Sequence, residues 1–424
     1  MSDITENPRG TCVVGGVNNV LSAVARVCPI YHSGPGCCMQ TSAGEAGQAG
    51  LRGPYYLSGV SSPCSNMLER EVVFGGEQKL RDEIDGALEI IDADAYFVLT
   101  GCTAGIIGDD VAAVTADYRE RGLPVYPVTT PGFAGDSLLG YETAFDVFLD
   151  YIMESGRERQ DDLVNLLGVV PYHDPHWQGT LEELSRLLRR LGLRVNTFFT
   201  DDQDMEIIKG AGAAALNVIV SPHLLRKAAE KFESKFGVPS VRFHGVPIGA
   251  TQTGEFVKAV AALLDIDAAA VLESESAYVY NCLESIIGAL SWKRFAVAAD
   301  ASTAIGMTRF LAEDFGFTPV AVVITEPIWR AADRRSISGA LTSLDHTKQP
   351  KVSFLSDHYD IRRELKAHDY TLLIGSSLED EVARELGVQL LVTAFPMSDR
   401  LVINRTYAGF RGCLTLVEDL FHNL

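Results

Sequence analysis

Apolar runs bounded by turn residues alternate along the chain with segments of helical periodicity. Residues 96–100 form a short, β-rich apolar run, which predicts a buried strand. Asp109 and Asp110 follow where a helix would be capped. Upstream, residues 77–91 place apolar side chains on one helical face. A second strand at 124–128 runs into a glycine-rich loop, so these segments predict a doubly wound α/β unit.

Predicted strands and helices continue to alternate along the rest of the chain. The predicted strands are 163–170, 193–199, 215–220, 240–243, 292–300, 320–325, 370–375 and 388–394, and the predicted helices are 17–27, 180–191, 223–236, 253–264, 270–290, 303–315, 359–366 and 413–420. This pattern predicts the α/β class, with three Rossmann-like αβα domains and parallel sheets. The predicted domains are 1–157, 158–291 with bridging helices, and 292–424 with a C-terminal helix.

Composition and charge narrow the functional classes. The chain has 424 residues and a formal net charge of −20, which argues against nucleic acid or an anionic membrane surface as a partner. No apolar run reaches the roughly 18 residues that a membrane span needs. The polar N-terminus, MSDITENPRG, does not follow the order of a signal peptide. We therefore expect a cytoplasmic protein.

The cysteines are concentrated near the N-terminus. They stand at 12, 28, 37, 38, 64, 102, 282 and 413. A disulfide scaffold is not expected in a large cytoplasmic chain, and no CxxC or Cys/His spacing typical of zinc is present. Cys102 follows the strand 96–100, where a thiol faces a ligand cleft or, with equal weight for this stretch alone, packs in the core. Clustering favours metal or redox chemistry, and iron–sulfur ligation in particular needs thiolates but not close spacing.

Seven segments, taken in their order and spacing, resemble one family. They are Cys12, HSGPGCC (32–38), EREVVFGG (69–76), GCTAGIIGDDV (101–111), TTPGFAG (129–135), GVPIGATQTGEF (245–256) and FPMSDR with NRTYAGFRG (395–412). The chain resembles component 1 of nitrogenase, a family that includes nitrogenase-like reductases and cofactor-assembly scaffolds. The resemblance runs along most of the chain, and it implies the same three-domain fold.

The resemblance also implies a cofactor and partners. Cys12, Cys37 and Cys102 match the three cysteines that each of two homologous subunits gives to a P-cluster. The implied cofactor is an iron–sulfur cluster of the P-cluster (8Fe-7S) type, which is shared with a partner subunit and relays electrons. The implied partners are a homologous catalytic α subunit, in an α2β2 assembly, and an ATP-dependent iron–sulfur reductase protein that docks transiently.

Three departures from the family pattern refine the expected role. Gly132 stands where some nitrogenase β subunits have a serine that can ligate the oxidised P-cluster. Ser221 stands at the position of the cysteine that holds the catalytic cofactor, and no histidine occurs in 388–412, where the second ligand is expected. The resemblance therefore implies a β-type subunit, with the catalytic iron–sulfur cofactor in the partner chain.

The shorter chain, without an N-terminal extension, and Gly132 favour methylthio-alkane reductase, which cleaves carbon–sulfur bonds. A β subunit of molybdenum, vanadium or iron-only nitrogenase is the near alternative. A non-catalytic assembly scaffold and a tetrapyrrole reductase subunit with a four-iron cluster are further alternatives. The retention of all three cysteines argues against the scaffold.

The remaining cysteines and histidines are assigned structural roles. Cys38 is expected to be a packed neighbour of Cys37 rather than a ligand. Four others are expected to be structural, the last three as core residues beside helices: Cys64, Cys28, Cys282 and Cys413. His32 is expected to orient the cysteine turn, and His173 and His176 to lie at the surface or an interface.

Overall fold

Three parallel sheets organise the chain. The computed structural model describes residues 6, 9–38, 46–50, 62–200, 202–287, 293–345 and 347–422. The strands are β1 (Val27–His32), β2 (Ala95–Thr100), β3 (Val125–Val128), β4 (Gln160–Leu167), β5 (Arg194–Asn196), β6 (Ala214–Ile219), β7 (Ser240–Arg242), β8 (Arg294–Ala299), β9 (Thr318–Ile324), β10 (Lys351–Phe354), β11 (Leu372–Gly375) and β12 (Gln389–Val392). Their orders are β1-β2-β3, β5-β4-β6-β7 and β10-β9-β8-β11-β12. These sheets confirm the predicted α/β fold class.

Helices connect the strands of each sheet and cover them. Those of the first sheet are Val13–Ser22, Glu69–Phe74, Glu77–Ile90, Cys102–Ile107, Val111–Glu120 and Ser137–Val147, the last of which continues as a π-helical turn over Phe148–Ile152. Those after β4 are Trp177–Arg190, Met205–Gly210, Arg226–Phe236, Gly249–Leu263 and Ala269–Ile287. Those after β8 are Ala301–Arg309, continued over Phe310–Asp314, then Ala331–Thr342, His358–Lys366, Asp380–Leu386 and Gly409–His422.

The first sheet is buried on both faces. Phe97 and Leu99 of β2 belong to the large core that continues into the other domains, whereas Tyr96 and Val98 pack in a separate core on the opposite face. All six residues of β1 and of β2 are buried, as expected for parallel strands with helices on both sides. The carboxyl ends of these strands therefore meet at one edge, where ligand sites form in such folds.

The predicted helix over 17–27 is wrong in its bounds. The helix begins at Val13 and ends at Ser22, and Val27 starts strand β1. Gly16 lies inside this helix. The position requires a glycine, because a Cβ there would lie 1.9 Å from the carbonyl oxygen of Ser137. The glycine thus allows the helix to pack closely against Ser137–Val147.

The C-terminal segment packs against a helix of the second domain. Thr406 exchanges a hydrogen bond of 3.0 Å with Thr180, and the amide of Arg411 donates to Oε1 of Glu183 at 3.2 Å. Both partners belong to the helix Trp177–Arg190. The three sheets fall within the three predicted ranges, whereas the exact domain limits stay a prediction. Parts of the predicted loop at 41–64, namely 41–45 and 51–61, lie outside the described residues.

Candidate functional site

Two of the predicted ligands, Cys12 and Cys102, face each other across the turn at Gly132. Cys12 precedes the helix Val13–Ser22, and Cys102 is the first residue of the helix Cys102–Ile107. A Cβ at Gly132 would lie 3.0 Å from Sγ of Cys102 and 3.1 Å from Sγ of Cys12. Since both sulfurs surround the same point at these distances, they are at most about 6 Å apart. The backbone amide of Gly132 also donates to Sγ of Cys102 at 3.1 Å.

The fold positions these sulfurs through the ends of neighbouring strands. Strand β2 ends at Thr100, and the amide of Gly101 donates to the carbonyl of His32 at the end of β1 at 3.0 Å. The hydroxyl of Thr130, beyond the end of β3, donates to the carbonyl of Thr100 at 3.1 Å. Three strand ends are therefore fixed together, and the loops that leave them carry the cysteines.

Cys37 lies in the same group of thiols. It occupies a helical turn over 35–38 and is half-buried. Burial raises the pKa of the Cys37 thiol, and the nearby sulfurs of Cys102, Cys12 and Cys64 raise it further, whereas a hydrogen bond with Ser33 lowers it. The structure thus brings the three predicted ligands together and adds Cys64 as a fourth neighbouring thiol. No spacing signal indicated Cys64, because this residue reaches the other thiols through an isolated bridge to Tyr31.

His32 joins three of the sequence motifs beneath the cysteines. Its Nε2 is 2.8 Å from Oδ2 of Asp109, and its Nδ1 is 3.0 Å from Oγ of Ser65. Asp109 also accepts two hydrogen bonds, of 3.0 and 3.1 Å, from the amide of Gly76. Burial lowers the pKa of His32, although the Asp109 carboxylate opposes this shift. The network fixes the turn before Cys37 and the loop after Cys102, which supports an orienting role.

The group of four thiols lies beside an exposed apolar surface. Phe133, beside Gly132, is 66% exposed, and Ile106, on the helix that starts at Cys102, is 74% exposed. The helix Glu69–Phe74 contacts this helix and presents further exposed apolar side chains. We call the whole set the apolar rim; it consists of Leu68, Val72, Val73, Phe74, Ile106 and Phe133. A contiguous apolar surface of this kind is typical of a protein interface.

The donor set suits an iron–sulfur cluster better than one metal ion. Within the described part of the chain, no three His, Cys, Asp or Glu side chains are arranged to hold a single ion. Several thiols instead surround a space at the surface that a second chain could complete. Soft thiolates are the ligands of iron–sulfur clusters. The residues present therefore fit a cluster that is shared across an interface.

Comparisons with known proteins agree with this geometry. The family described as nitrogenase component 1 type oxidoreductase matches residues 12–424. The chain belongs to the nitrogenase component 1 family. It is 25% identical over 451 residues to the nitrogenase molybdenum-iron protein beta chain of Frankia alni, a match that covers 99% of this chain and 83% of that protein.

The NifE relatives match this chain only in part. The chain is 32% identical over 243 residues to the nitrogenase iron-molybdenum cofactor biosynthesis protein NifE of Nostoc sp., across 56% of this chain and 49% of that protein. It thus spans about half the length of this relative and of the NifE of Clostridium pasteurianum. The solved structure of nitrogenase Cp1 at pH 6.5 superposes with a TM-score of 0.84 at 20% identity, over 100% of this chain and 93% of that one, and shows the shared fold.

Four other cysteines of this component 1 chain occupy varied positions. Cys28 in β1 and Cys413 in the last helix are buried, and burial raises the pKa of each to about 12, so both are inert core thiols as expected. Cys38 is buried, and its thiol donates to the carbonyl of Ser62 at 3.6 Å. The prediction that Cys282 packs in the core is wrong: it lies on the exposed side of the helix Ala269–Ile287.

The surface assignment of His176 is also wrong. His176 is buried, and its ring lies 4.6 Å from that of Tyr407. Burial lowers the pKa of His176 to about 3, so the ring is neutral. His173 is half-buried and stacks on Phe395 at 4.9 Å. The returning C-terminal segment covers this loop, which sequence patterns within the loop did not indicate.

A large cavity borders the cysteine group. Its volume is about 640 Å³, and it shares Cys12, Gly132 and Phe133 with that group. Asp300 and Glu326, from loops that leave β8 and β9, also line it. Burial raises the pKa of Glu326 to about 8, and the nearby carboxylate of Asp300 contributes. Sequence reasoning missed this cavity, because its walls come from distant segments.

No helix among the residues described is long and apolar enough to cross a membrane.

Proposed function

We propose that this chain is the β-type, electron-relaying subunit of a nitrogenase-like reductase. In this proposal Cys12, Cys37 and Cys102 hold a P-cluster-type iron–sulfur cluster that is shared with a catalytic α subunit. The observation that carries the proposal is the convergence of these three thiols at one strand edge, on a surface that leaves room for a second chain. When bound, such a cluster supplies one-electron redox chemistry.

The residues of this chain would prepare the site for iron. Because burial and neighbouring sulfurs raise the pKa of Cys37, its thiol holds a proton until a cation compensates the charge of the thiolate. The Gly132 amide donates to Cys102 and so stabilises negative charge on that sulfur. His32 and Asp109 hold the flanking loops in place.

The apolar rim is an argument for a partner chain. Phe133 and Ile106 stand beside the sulfurs, so a partner that covers them would also exclude water from the cluster. We propose a homologous α subunit in an α2β2 assembly. We further propose an ATP-dependent iron–sulfur reductase protein as the transient electron donor.

The cluster assignment is tested by exchanging single cysteines. The complex carrying Cys102→Ala, purified without oxygen, should lose most of the bridging iron and the paramagnetic signal of that cluster. Cys282→Ala is the matched control, since it removes an exposed thiol from the helix Ala269–Ile287. Circular dichroism of both variants should show an intact fold. Full iron content in Cys102→Ala would overturn the assignment.

We assign the catalytic cofactor to the partner rather than to this chain. Ser221, at the position of the expected cysteine ligand, is buried, and its Oγ accepts a hydrogen bond of 3.2 Å from the amide of Leu224. The small cavity beside Ser221 is also lined by Asp300 and Glu326. Carboxylates there disfavour an anionic iron–sulfur cofactor, since like charges in a buried site repel.

For the substrate, we propose carbon–sulfur cleavage of a methylthio-alkane, with dinitrogen reduction as the alternative. The departure at Gly132 supports this choice, because the turn offers no side-chain oxygen to a cluster. The complete complex, supplied with its reductase protein and ATP, should release a thiol from a methylthio-alkane. Ammonia formation from dinitrogen would assign it to the nitrogenases instead.

A cofactor-assembly scaffold is the second candidate function. The observation in its favour is the 32% identity to the cofactor biosynthesis protein NifE. A scaffold would pass a metal cluster to an acceptor protein and would reduce no substrate. Transfer of labelled iron to an acceptor, together with no substrate reduction by an iron-replete complex, would favour this candidate.

A further inference from the structure

A cavity with both apolar and carboxylic side chains in its wall lies between the first and third domains. Its volume of about 640 Å³ falls within the range of small-molecule sites. Apolar side chains form one part of its wall, namely Phe133, Leu138, Pro327 and Phe395. Two of the acids in the wall, Glu326 and Asp300, follow adjacent parallel strands, β9 and β8.

Glu326 has unused hydrogen-bonding capacity in this cavity. The residue is 8% exposed, and its Oε1 accepts a hydrogen bond of 2.9 Å from the amide of Ala301. The nearest ring nitrogen, Nδ1 of His223, is 3.8 Å from Oε1, which is too long for a hydrogen bond. The second oxygen, Oε2, has no partner among the residues described. A ligand in the cavity that donates to Oε2 would complete the hydrogen bonding of this largely buried side chain.

The charges around the cavity favour a cation. Five carboxylic acids line it: Glu6, Asp136, Asp300, Glu326 and Asp357. Three of them also cap helices, so the helix ends offset part of their charge: Asp136, Asp300 and Asp357. Arg9 is the only lysine or arginine among the lining residues described, and its guanidinium is already bound to Glu379.

His223 does not place a positive charge beside Glu326. Burial lowers the pKa of His223 to about 4, so its ring is neutral. His173 faces Glu326 from the loop after β4, and its ring stacks on Phe395. The other charged groups that face Glu326 are the carboxylates of Asp300 and Asp136. Two further acids therefore face Glu326, and the ring of His223 beside it is neutral.

We propose that this cavity binds a small aliphatic ammonium ion, whose nitrogen donates to Glu326 and Asp300 and whose alkyl chain packs against Leu138 and Phe395. An aromatic ring beside a carboxylate pair is a suitable environment for an alkylammonium group. A single metal ion is not favoured, because no three donors of the described chain are arranged around one point. The proposal concerns a second ligand and does not depend on the iron–sulfur assignment.

The test compares a cation with a neutral molecule of the same shape. Isothermal titration of the full chain, together with any partner it retains, uses n-butylammonium chloride and, separately, n-butanol, at about pH 9, above the pKa of about 8 of Glu326, so that its carboxyl group is ionised. We expect saturable binding of n-butylammonium that is at least tenfold tighter than that of n-butanol, since a hydrogen bond to a charged group is worth about tenfold or more. Equal affinities would show an apolar cavity only and would overturn the proposal, as would the absence of saturable binding.

Variants then locate the cation. Glu326→Gln keeps the shape of the side chain but removes its charge, and it should weaken n-butylammonium binding at least tenfold while n-butanol binding stays unchanged. Glu89→Gln is the matched control, because Glu89 is exposed on the helix Glu77–Ile90, away from the cavity lining. Unchanged n-butylammonium binding in Glu326→Gln would overturn the assignment to this carboxylate. If Glu326→Gln does not fold, the comparison of the two ligands on the native chain still decides whether the cavity selects a cation.

Discussion

Replacement of Gly132 by alanine tests whether the two sulfurs beside it hold iron. The new Cβ would lie 3.0 Å from Sγ of Cys102, 3.1 Å from Sγ of Cys12 and 3.3 Å from Cβ of Cys12. Non-bonded heavy atoms prefer roughly 3.5 to 4.0 Å. One or both sulfurs must therefore move by about half an ångström. Gly132 does not have a left-handed φ, so alanine fits the backbone and the effect is confined to the sulfurs.

The expected loss follows from how narrowly metal sites tolerate displacement. Metal–ligand distances in working sites vary by about 0.2 Å, less than the movement that the methyl group requires. Changes beside a ligand commonly reduce metal affinity about 10- to 100-fold. Gly132→Ala should therefore release bridging iron to a chelator at least about tenfold faster than the native complex. Overpacking at this half-buried turn should lower the free energy of unfolding by no more than about 1–3 kcal/mol.

The assay follows iron release to a colorimetric ferrous chelator without oxygen. Gly86→Ala is the matched control, because it adds the same methyl group on the helix Glu77–Ile90 with no atom within 4 Å of the new Cβ. Circular dichroism would show that both variants are folded. Equal iron content and equal release rates in Gly132→Ala and Gly86→Ala would refute the view that Cys12 and Cys102 bind the cluster together.

Three further changes probe the interface, the core and the cavity. Phe133→Ser should weaken association with the partner chain in size-exclusion chromatography, whereas Ile90→Ser, which also replaces an exposed apolar residue, should not. Arg9→Ala should lower the free energy of unfolding by about 3–5 kcal/mol in urea titrations, since it leaves the buried Glu379 carboxylate unpaired; an unchanged midpoint would contradict this. Because the pKa of Glu326 is raised from 4.5 to about 8, the folded chain holds a proton that the unfolded chain has lost between these values. The free energy of unfolding should therefore fall as pH rises through this window, and Glu326→Gln should reduce that slope.

Local patterns predicted most of the first domain. The apolar run at 96–100 became β2, and the periodicity at 77–91 became a helix with Leu80 and Ile84 buried, because each pattern matches the geometry of its element. The edge strand Lys351–Phe354 and the helix Ala331–Thr342 were missed. Neither shows a long apolar run, since each buries only part of its surface.

Only those site residues that stand next to a recognisable sequence motif could be predicted. Cys12, Cys37 and Cys102 each follow or precede a recognisable motif, and the structure places them together. The environment of His176 depends on Tyr407, and that of Glu326 depends on Asp300 and His173. Contacts between segments so far apart leave no periodicity in the sequence, so burial and charge at these positions emerge only from the folded chain.

The ion pair between Arg9 and Glu379 has a consequence for synthesis of the protein. The two residues are 370 positions apart, and both are buried. At roughly 5 to 20 residues per second, the carboxylate leaves the ribosome about 20 to 70 s after the guanidinium. During that interval the N-terminal segment cannot reach its final place without burying an uncompensated charge. The first domain must therefore remain open on this side until Glu379 has emerged, and this is the period in which a chaperone would have the most exposed surface to bind.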